Sequence, residues 1–388
     1  MHKHNRLSRA GPLLEVASIF QRYKPLLGVL PTSLGDVVDK ITTCRTARLG
    51  GHIRKCDSCN YQEQSYNSCR NRHCPKCQFL PRAQWVKNRE DELLPIQYFH
   101  VVFTLPHVLN PLIYANKKEL FSLFFQKAGE TLKEVGARRL GVEIGFISVL
   151  HTWGQNLSFH PHIHMIVAGG GLSLKNKNKW KHCKKKYLFP TKILSLVFRG
   201  KFLSELEKLH KTLIYPEKIK YLSNTKEFKN LLIESAKKPW IVYTKRPFAG
   251  PKQVIGYLGN YTHRIAISNH RLIKIQDGHI YFKYRDYKTN ENKVMALHAK
   301  DFMKRFLLHV LPKKFVRIRH YGFLSNRERS EKIKTCKNLF GLQPITQKQY
   351  KNWKEKLLAL LGIDLIHCPQ CKKGIIKEYP LAQYQDTS

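Results

Sequence analysis

The chain has 388 residues, 69 of them Lys or Arg and 27 Asp or Glu, a formal net charge of +42. A composition of 42% hydrophobic and 11% aromatic residues excludes a disordered basic tail, and no stretch reaches the ~18 apolar residues of a membrane span. So large a positive excess would self-repel without a polyanionic partner, and nucleic acid fits that part.

The length predicts two or three domains, each with its own core. The first residues, Met1 to Leu7, lack the apolar core of a secretory signal, so a cytoplasmic protein is expected. Leu13, Val16, Ala17 and Phe20 recur at helical spacing, which makes residues 1–43 a helical lead-in. A Cys-rich module follows over 44–94, closing with a polar helix, Arg82–Leu94, stopped by Pro95. The β-branched and aromatic run from Gln97 to Thr104 reads as a buried strand. Residues 116–135 form an amphipathic helix. Phe146–Trp153 and His160–Ala168 read as two further strands joined through Gly154, Gln155 and Asn156.

Seven of the twelve residues from Lys175 to Lys186 are Lys, which predicts an exposed loop inserted in the domain over 95–295. Trp180 within it is either a base-stacking residue or part of a flexible insertion. Helices at 191–213 and 225–236, a strand at Trp240–Lys245 and a helix at 251–262 come next. Asp277-Gly278 marks a tight hairpin. Residues 95–295 thus make one mixed domain, and 296–388 a basic, mostly helical C-terminal region. The interleaving of strands, hairpins and helices predicts an α+β fold built on an antiparallel sheet.

Six of the ten cysteines lie between Cys44 and Cys77, in a pattern of close pairs that suits metal ligation better than disulfides. Cys56-x-x-Cys59 and Cys74-x-x-Cys77 supply four thiolates, enough for one tetrahedral Zn²⁺. Cys44, His52, Cys69 and His73 make a second candidate set, so one or two structural zinc ions are expected; spacing does not choose among interleaved pairings. Cys368 and Cys371 supply half a site. His367, Cys336 or another subunit could complete it, or the two are a surface thiol pair.

In Phe159-His-Pro-His-Ile-His-Met-Ile-Val167, the period of two puts His160, His162 and His164 on one face of a strand, where neighbours can share an ion. Downstream, Tyr257 and Tyr261 are four apart, one turn of a helix. Gly256 and Gly259 flank them, and Asn260, His263 and Arg264 add polarity.

His162-Ile163-His164 followed by Tyr257-x-x-x-Tyr261 resembles the HUH endonuclease superfamily. The chain is similar in particular to the rolling-circle, two-tyrosine transposases of bacterial insertion sequences (the insertion-sequence 91 type), which carry an N-terminal zinc-binding domain. Ser68-Cys-Arg-Asn-Arg-His-Cys-Pro-Lys-Cys77, Thr152-Trp-Gly-Gln155, Tyr257-Leu-Gly-Asn-Tyr-Thr-His-Arg264 and Arg317-Ile-Arg-His-Tyr-Gly322 extend the likeness over about residues 10 to 375. The order of zinc module, His strand and tyrosine helix agrees, whereas conjugative relaxases place the tyrosines first.

The resemblance implies an HUH-type antiparallel sheet. It also implies a metal-dependent DNA strand transferase that joins Tyr257 or Tyr261 to a 5′ phosphate. His162 and His164 would hold Mg²⁺ or Mn²⁺ with a third ligand, Gln155 first, then His160, then His151. Arg264, Lys184, Lys185 and Lys186 would contact DNA, single-stranded at the site of chemistry, at insertion-sequence ends in a bacterial nucleoid. A replication initiator or mobilisation nuclease would use the same chemistry. A non-catalytic zinc protein that binds nucleic acid would leave the His strand and the tyrosines unemployed.

Overall fold

The computed structural model describes residues 14–184, 186–245, 253, 255–256, 259, 266–286, 289–344 and 349–381. The strands of the described residues are β1 (Gly51–Cys56), β2 (Gln62–Tyr66), β3 (Tyr98–Thr104), β4 (Val142–Trp153), β5 (Phe159–Ser173), β6 (Trp180–His182), β7 (Val242–Lys245), β8 (Leu272–Gln276), β9 (His279–Arg285), β10 (Asn292–His298), β11 (Ile318–Tyr321) and β12 (Ile376–Pro380). They form three antiparallel sheets, flanked by helices, in the mixed α+β arrangement expected from the sequence.

The central sheet runs β11-β4-β5-β3-β7, with β6 added to β5. Its strands alternate, so each side chain set has its own face. On one face Phe99, Val101, Phe103, Phe146, Leu150, Ile163, Met165 and Val167 are buried. They pack against the helices Lys117–Leu140 and Thr191–Leu209, which present Leu120, Phe124, Phe198 and Phe202. Full burial of each such Phe contributes about 1.5–3 kcal/mol, which makes this face the main core of the described residues. The helix Lys117–Leu140 stops at Gly141, whose φ of 64° lets its amide reach the Ala137 carbonyl.

The opposite face is divided along its length. One end carries apolar Tyr98, Ile147, Ile166 and Ala168; the other carries His100, His151, His160, His162 and His164. That division positions the candidate site.

The helical lead-in is not a separate piece. The helices Val16–Tyr23 and Thr32–Thr43 share a core with β8, β9 and the helix Ala299–Leu308, and Phe20 meets Phe306 edge-on at 5.6 Å. The β8–β9 turn has φ of 49° at Asp277 and 72° at Gly278, the double positive pair of the tight turn that the sequence predicted. A third sheet, β12-β1-β2, joins the two ends of the chain.

Two expectations change. The C-terminal region is helical at Ala299–Leu308, Arg329–Leu339 and Trp353–Leu361, but it also supplies β11 to the central sheet and β12 to the cysteine-bearing sheet. The module bounded at 44–94 in the sequence is therefore completed by residues near the other end. The Lys-rich segment is not a free loop: β6 pairs with Gly170–Leu172 of β5, and Trp180 packs against Phe323 and Phe340 at 5.5 and 5.4 Å between centroids. Those contacts take up the ring that sequence reasoning offered to a base.

Candidate active site and metal centres

Three groups of metal-ligating side chains come together among the described residues. The first is His151, His162 and His164, whose ligand nitrogens all lie within 4.8 Å of one another. His162 and His164 share a face of β5, and the antiparallel register sets His151 of β4 directly opposite His162. The rings of His151 and His164 are 4.4 Å apart between centroids, and those of His162 and His164 are 4.8 Å apart.

Two contacts orient the rings. His162 Nδ1 lies 2.7 Å from the His160 carbonyl, which only a protonated Nδ1 can satisfy; this leaves Nε2 as the lone-pair nitrogen. His164 Nδ1 lies 2.7 Å from His100 Nε2 on β3. Burial pushes His162 and His100 down to about 4, and His164 well below the usual imidazole range, with neighbouring histidines adding to it. Neutral imidazoles converging in this way fit a divalent ion.

Of the three candidate third ligands, the sheet sets His151 beside His162 and His164. Gln155 sits in the β4–β5 turn beyond the Trp153–Phe159 pair, roughly 10 Å along the hairpin from His162 at ~3.3 Å per residue, and its carbonyl accepts from Arg271. His160 stacks on His107 at 4.9 Å and lends its carbonyl to His162. The sheet brings in His151, the last of the three choices. Strand register was the signal that could have ranked it first. His100 was missed, although it lies on the expected strand Gln97–Thr104.

Tyr257, Tyr261, Arg264 and Lys185 lie outside the described residues. Their nearest described neighbours are informative. Ile255 is buried in the apolar end of the histidine-bearing face, with Tyr98, Ile147 and Ile166. Gly259 lies so close to Val86 of the helix Phe79–Asp91 that a Cβ there would collide with that side chain. Lys184 and Lys186 are exposed, and the Lys186 amide donates to Gln97 Oε1 at 3.1 Å.

The other two groups are all thiol: Cys44, Cys69, Cys74 and Cys77, and Cys56, Cys59, Cys368 and Cys371. This overturns the pairing of Cys56 and Cys59 with Cys74 and Cys77. It also removes His52 and His73 from the zinc sets. His73 is buried with Nε2 accepting from the Leu311 amide at 3.2 Å and Nδ1 3.1 Å from Asn71 Oδ1, and His52 faces Glu378 across β1 and β12 at 3.8 Å. The sequence could not show that β12 folds back beside β1, which carries Cys368 and Cys371 to Cys56 and Cys59.

Both thiol groups fit zinc. A tetrahedral ion with Zn–S near 2.3 Å requires sulfurs about 3.8 Å apart; the shortest separations here are 3.3 Å (Cys44–Cys77), 3.6 Å (Cys69–Cys77), 3.7 Å (Cys59–Cys368) and 3.8 Å (Cys56–Cys371). Backbone amides already point at the sulfurs, from Cys69 to Cys44 and from Ser58 to Cys56. The thiols of Cys44, Cys69 and Cys74 crowd Cys77 and hold it far below the usual thiol range. Gly374 and Lys373 amides bring Cys371 down to about 6.

Basic residues tie the centres together. Arg72, between the ligands Cys69 and Cys74, donates to the Phe315 and Pro312 carbonyls at 2.5 and 2.7 Å. Arg89 on the helix Phe79–Asp91 reaches His320 of β11 at 2.9 Å, so the helix that follows the first thiol group is fixed to the edge of the central sheet.

A family model described as "Transposase zinc-binding domain" matches residues 16–105, and one described as "Putative transposase" matches residues 145–332. The protein named "Putative transposase y4qJ", from Sinorhizobium fredii (strain NBRC 101917 / NGR234), is 45% identical over 380 residues, 95% of each chain. The "Transposase for insertion sequence element IS801" of Pseudomonas savastanoi pv. phaseolicola is 28% identical over 302 residues, 75% of this chain and 70% of that one. A solved complex of the conjugative relaxase TrwC with oriT DNA aligns over 81% of this chain and 97% of that one, at 12% identity; its TM-score of 0.27 carries no argument.

Proposed function

Since the chain belongs to the insertion-sequence transposases that place a zinc-binding module ahead of an HUH-like catalytic region, we propose that it cuts and rejoins single-stranded DNA at element ends through a tyrosine–DNA intermediate. One observation carries the reading. Ile255, two residues before Tyr257, is buried on the same sheet face as His151, His162 and His164, and its neighbour Ile166 is two residues from His164. Of the described residues, Ile255 thus ties the chain just before Tyr257 to the sheet face that carries the three histidines, which supports a tyrosine acting at that site.

In this reading His151, His162 and His164 hold Mg²⁺ or Mn²⁺. The ion would polarise the scissile phosphate and ease departure of the 3′ oxygen. The phenol oxygen of Tyr257 or Tyr261 attacks phosphorus, the P–O3′ bond breaks, and a 5′-phosphotyrosine and a free 3′-OH result. The phenol proton leaves to solvent and the departing oxygen takes one up. A free phenol with pKa near ~10 is a weak nucleophile, so positioning beside the phosphate does much of the work. The phosphodiester is exchanged rather than lost, and the second tyrosine can take a second strand. Lys184, Lys186 and, among residues not described, Lys185 and Arg264 are proposed DNA contacts, and element ends the recognised sequence.

Single-stranded oligonucleotides carrying the element ends, incubated with Mn²⁺ or Mg²⁺, should yield a denaturation-resistant protein–DNA adduct. EDTA and the double change Tyr257→Phe, Tyr261→Phe should abolish it. Wild-type protein that binds the ends in the presence of the ion yet never forms an adduct overturns the proposal.

A further inference from the structure

We propose that Cys56, Cys59, Cys368 and Cys371 form a second zinc site that acts as a releasable clasp, closing the C-terminal arm of the chain onto the N-terminal module. The ligands come in two knuckles of identical spacing, Cys-x-x-Cys, separated by more than three hundred residues. In each knuckle a backbone amide is aimed at the first or last sulfur: Ser58 to Cys56 and Gly374 to Cys371, both at 3.3 Å. Such amides stabilise thiolates, which are the form that binds metal. Gly374 fits only as glycine, because a Cβ there would stand on the Cys56 sulfur. The two knuckles approach at 3.7 Å (Cys59–Cys368) and 3.8 Å (Cys56–Cys371), with all four sulfurs within 4.8 Å of one another, which suits a tetrahedral ion, and all four cysteines are free of disulfides.

The two thiol groups differ in what surrounds them. Cys44 and Cys74 are embedded in a large apolar core with Phe20, Ile41, Ile267 and Phe302. Among the described residues, the Cys56 group has Ile376 as its one buried apolar neighbour, with Tyr61 partly covering it. β12 itself is exposed from Lys377 to Pro380. Beside backbone pairing with β1, the Asp57–Ile375 bonds and the Lys354–Glu378 pair, one isoleucine is little apolar burial to set against the entropy of ordering so distant an arm, so the ion carries much of the closure. Release is therefore local, without loss of the first site.

The clasp also has a route toward the chemistry. Lys354 on the helix Trp353–Leu361 pairs with Glu378 of β12 at 3.0 Å, and that helix packs on Phe79–Asp91, whose Val86 abuts Gly259. The clasp thus steadies the helix Phe79–Asp91, which abuts Gly259.

The test uses the full-length protein and measures zinc by elemental analysis, with no DNA or activity required. Wild type should hold two zinc ions per chain, and Cys368→Ser with Cys371→Ser should hold one. Graded chelation of wild type should remove one equivalent first. At that point alkylation of Cys56, Cys59, Cys368 and Cys371 should rise about tenfold or more, and trypsin should cut at Lys372, Lys373 and Lys377. Cys44, Cys69, Cys74 and Cys77 should stay protected, and the main thermal transition should stay in place. Because the wild-type chelation series needs no substitution, a variant that fails to fold does not spoil it. Wild type with one zinc and freely alkylated Cys368 and Cys371 refutes the clasp. So does a double variant that keeps two ions, or an arm still protected once one equivalent has gone.

Discussion

Replacement of His100 by Phe should weaken Mn²⁺ binding at the histidine cluster by about 10- to 100-fold while leaving the fold and the zinc content as they are. His100 Nε2 is 2.7 Å from His164 Nδ1, and the two rings lie nearly parallel, 7° apart with centroids at 5.0 Å. A proton on His164 Nδ1, shared with His100, leaves His164 Nε2 with the lone pair that a metal needs. Phe keeps the ring, its volume and its stacking but offers no acceptor. The loss is then one hydrogen bond to a half-buried group plus the freedom of His164 to adopt the other tautomer. One such bond is worth about 1–2 kcal/mol, about one decade at ~1.4 kcal/mol per tenfold, and the freed tautomer of His164 extends the range toward the ~100-fold known for partners of metal-binding histidines. Calorimetry or electron paramagnetic resonance with Mn²⁺ alone measures it. Adduct formation with single-stranded DNA should fall at limiting Mn²⁺ and recover when Mn²⁺ is raised by the same factor. His100→Gln, which retains an acceptor, should recover part of the affinity. Unchanged Mn²⁺ affinity in His100→Phe would show that His100 does not orient His164, and a loss that excess Mn²⁺ never restores would mean damage to the sheet instead.

Gly145→Ala would place a Cβ 2.5–2.7 Å from three atoms of the buried Phe323 ring. The ring has Trp180 behind it, so overpacking should cost about 1–3 kcal/mol, read as a lower midpoint in urea. Trp180→Ala should lower stability by about 3 kcal/mol through lost contacts with Phe323 and Phe340, with affinity for single-stranded DNA unchanged in gel shifts; a loss of affinity at intact stability would restore the base-stacking role. Acid should act through His309. It is enclosed with Nδ1 at 3.2 Å from Thr152 Oγ1 and Nε2 at 3.2 Å from the Leu157 carbonyl, and burial lowers it to about 3. The folded state therefore resists its protonation. Its contribution is intact above the unfolded value near ~6.5 and is lost at about 1.4 kcal/mol per pH unit as pH falls toward 3. Denaturation curves of wild type and His309→Gln should differ most near neutral pH and converge in acid, and parallel curves would contradict the assignment.

What could be read from the sequence was whatever depends on short-range periodicity. A period of two assigns His160, His162 and His164 to one face without knowing the neighbouring strand, and Asp277-Gly278 specifies its own turn. His151 needed one more piece of information, the strand paired with His162, which the short Gly154–Ser158 connection nearly supplies. The thiol pairing needed much more. Each Cys-x-x-Cys is a local knuckle, and nothing local says which knuckle faces which. That choice is made by β12, a five-residue strand whose last four side chains are exposed and which carries no hydrophobic alternation to announce itself. β11 hides in the same way: Ile318, Arg319, His320 and Tyr321 are all half-buried, held by pairing with β4, by Tyr321 stacked on Phe146 at 4.8 Å, and by Arg319 over Phe125 at 4.5 Å. Both strands take their identity from the partner they join. Composition placed them in a basic, helical tail because the charged side chains that raise the net charge here are also the ones that pin the tail to the sheets. The excess of +42 is thus partly structural. Arg72, Arg89 and Arg319 are committed to carbonyls, to His320 and to aromatic faces, so the charge left for a polyanion lies on the exposed lysines and on exposed arginines such as Arg45 and Arg48.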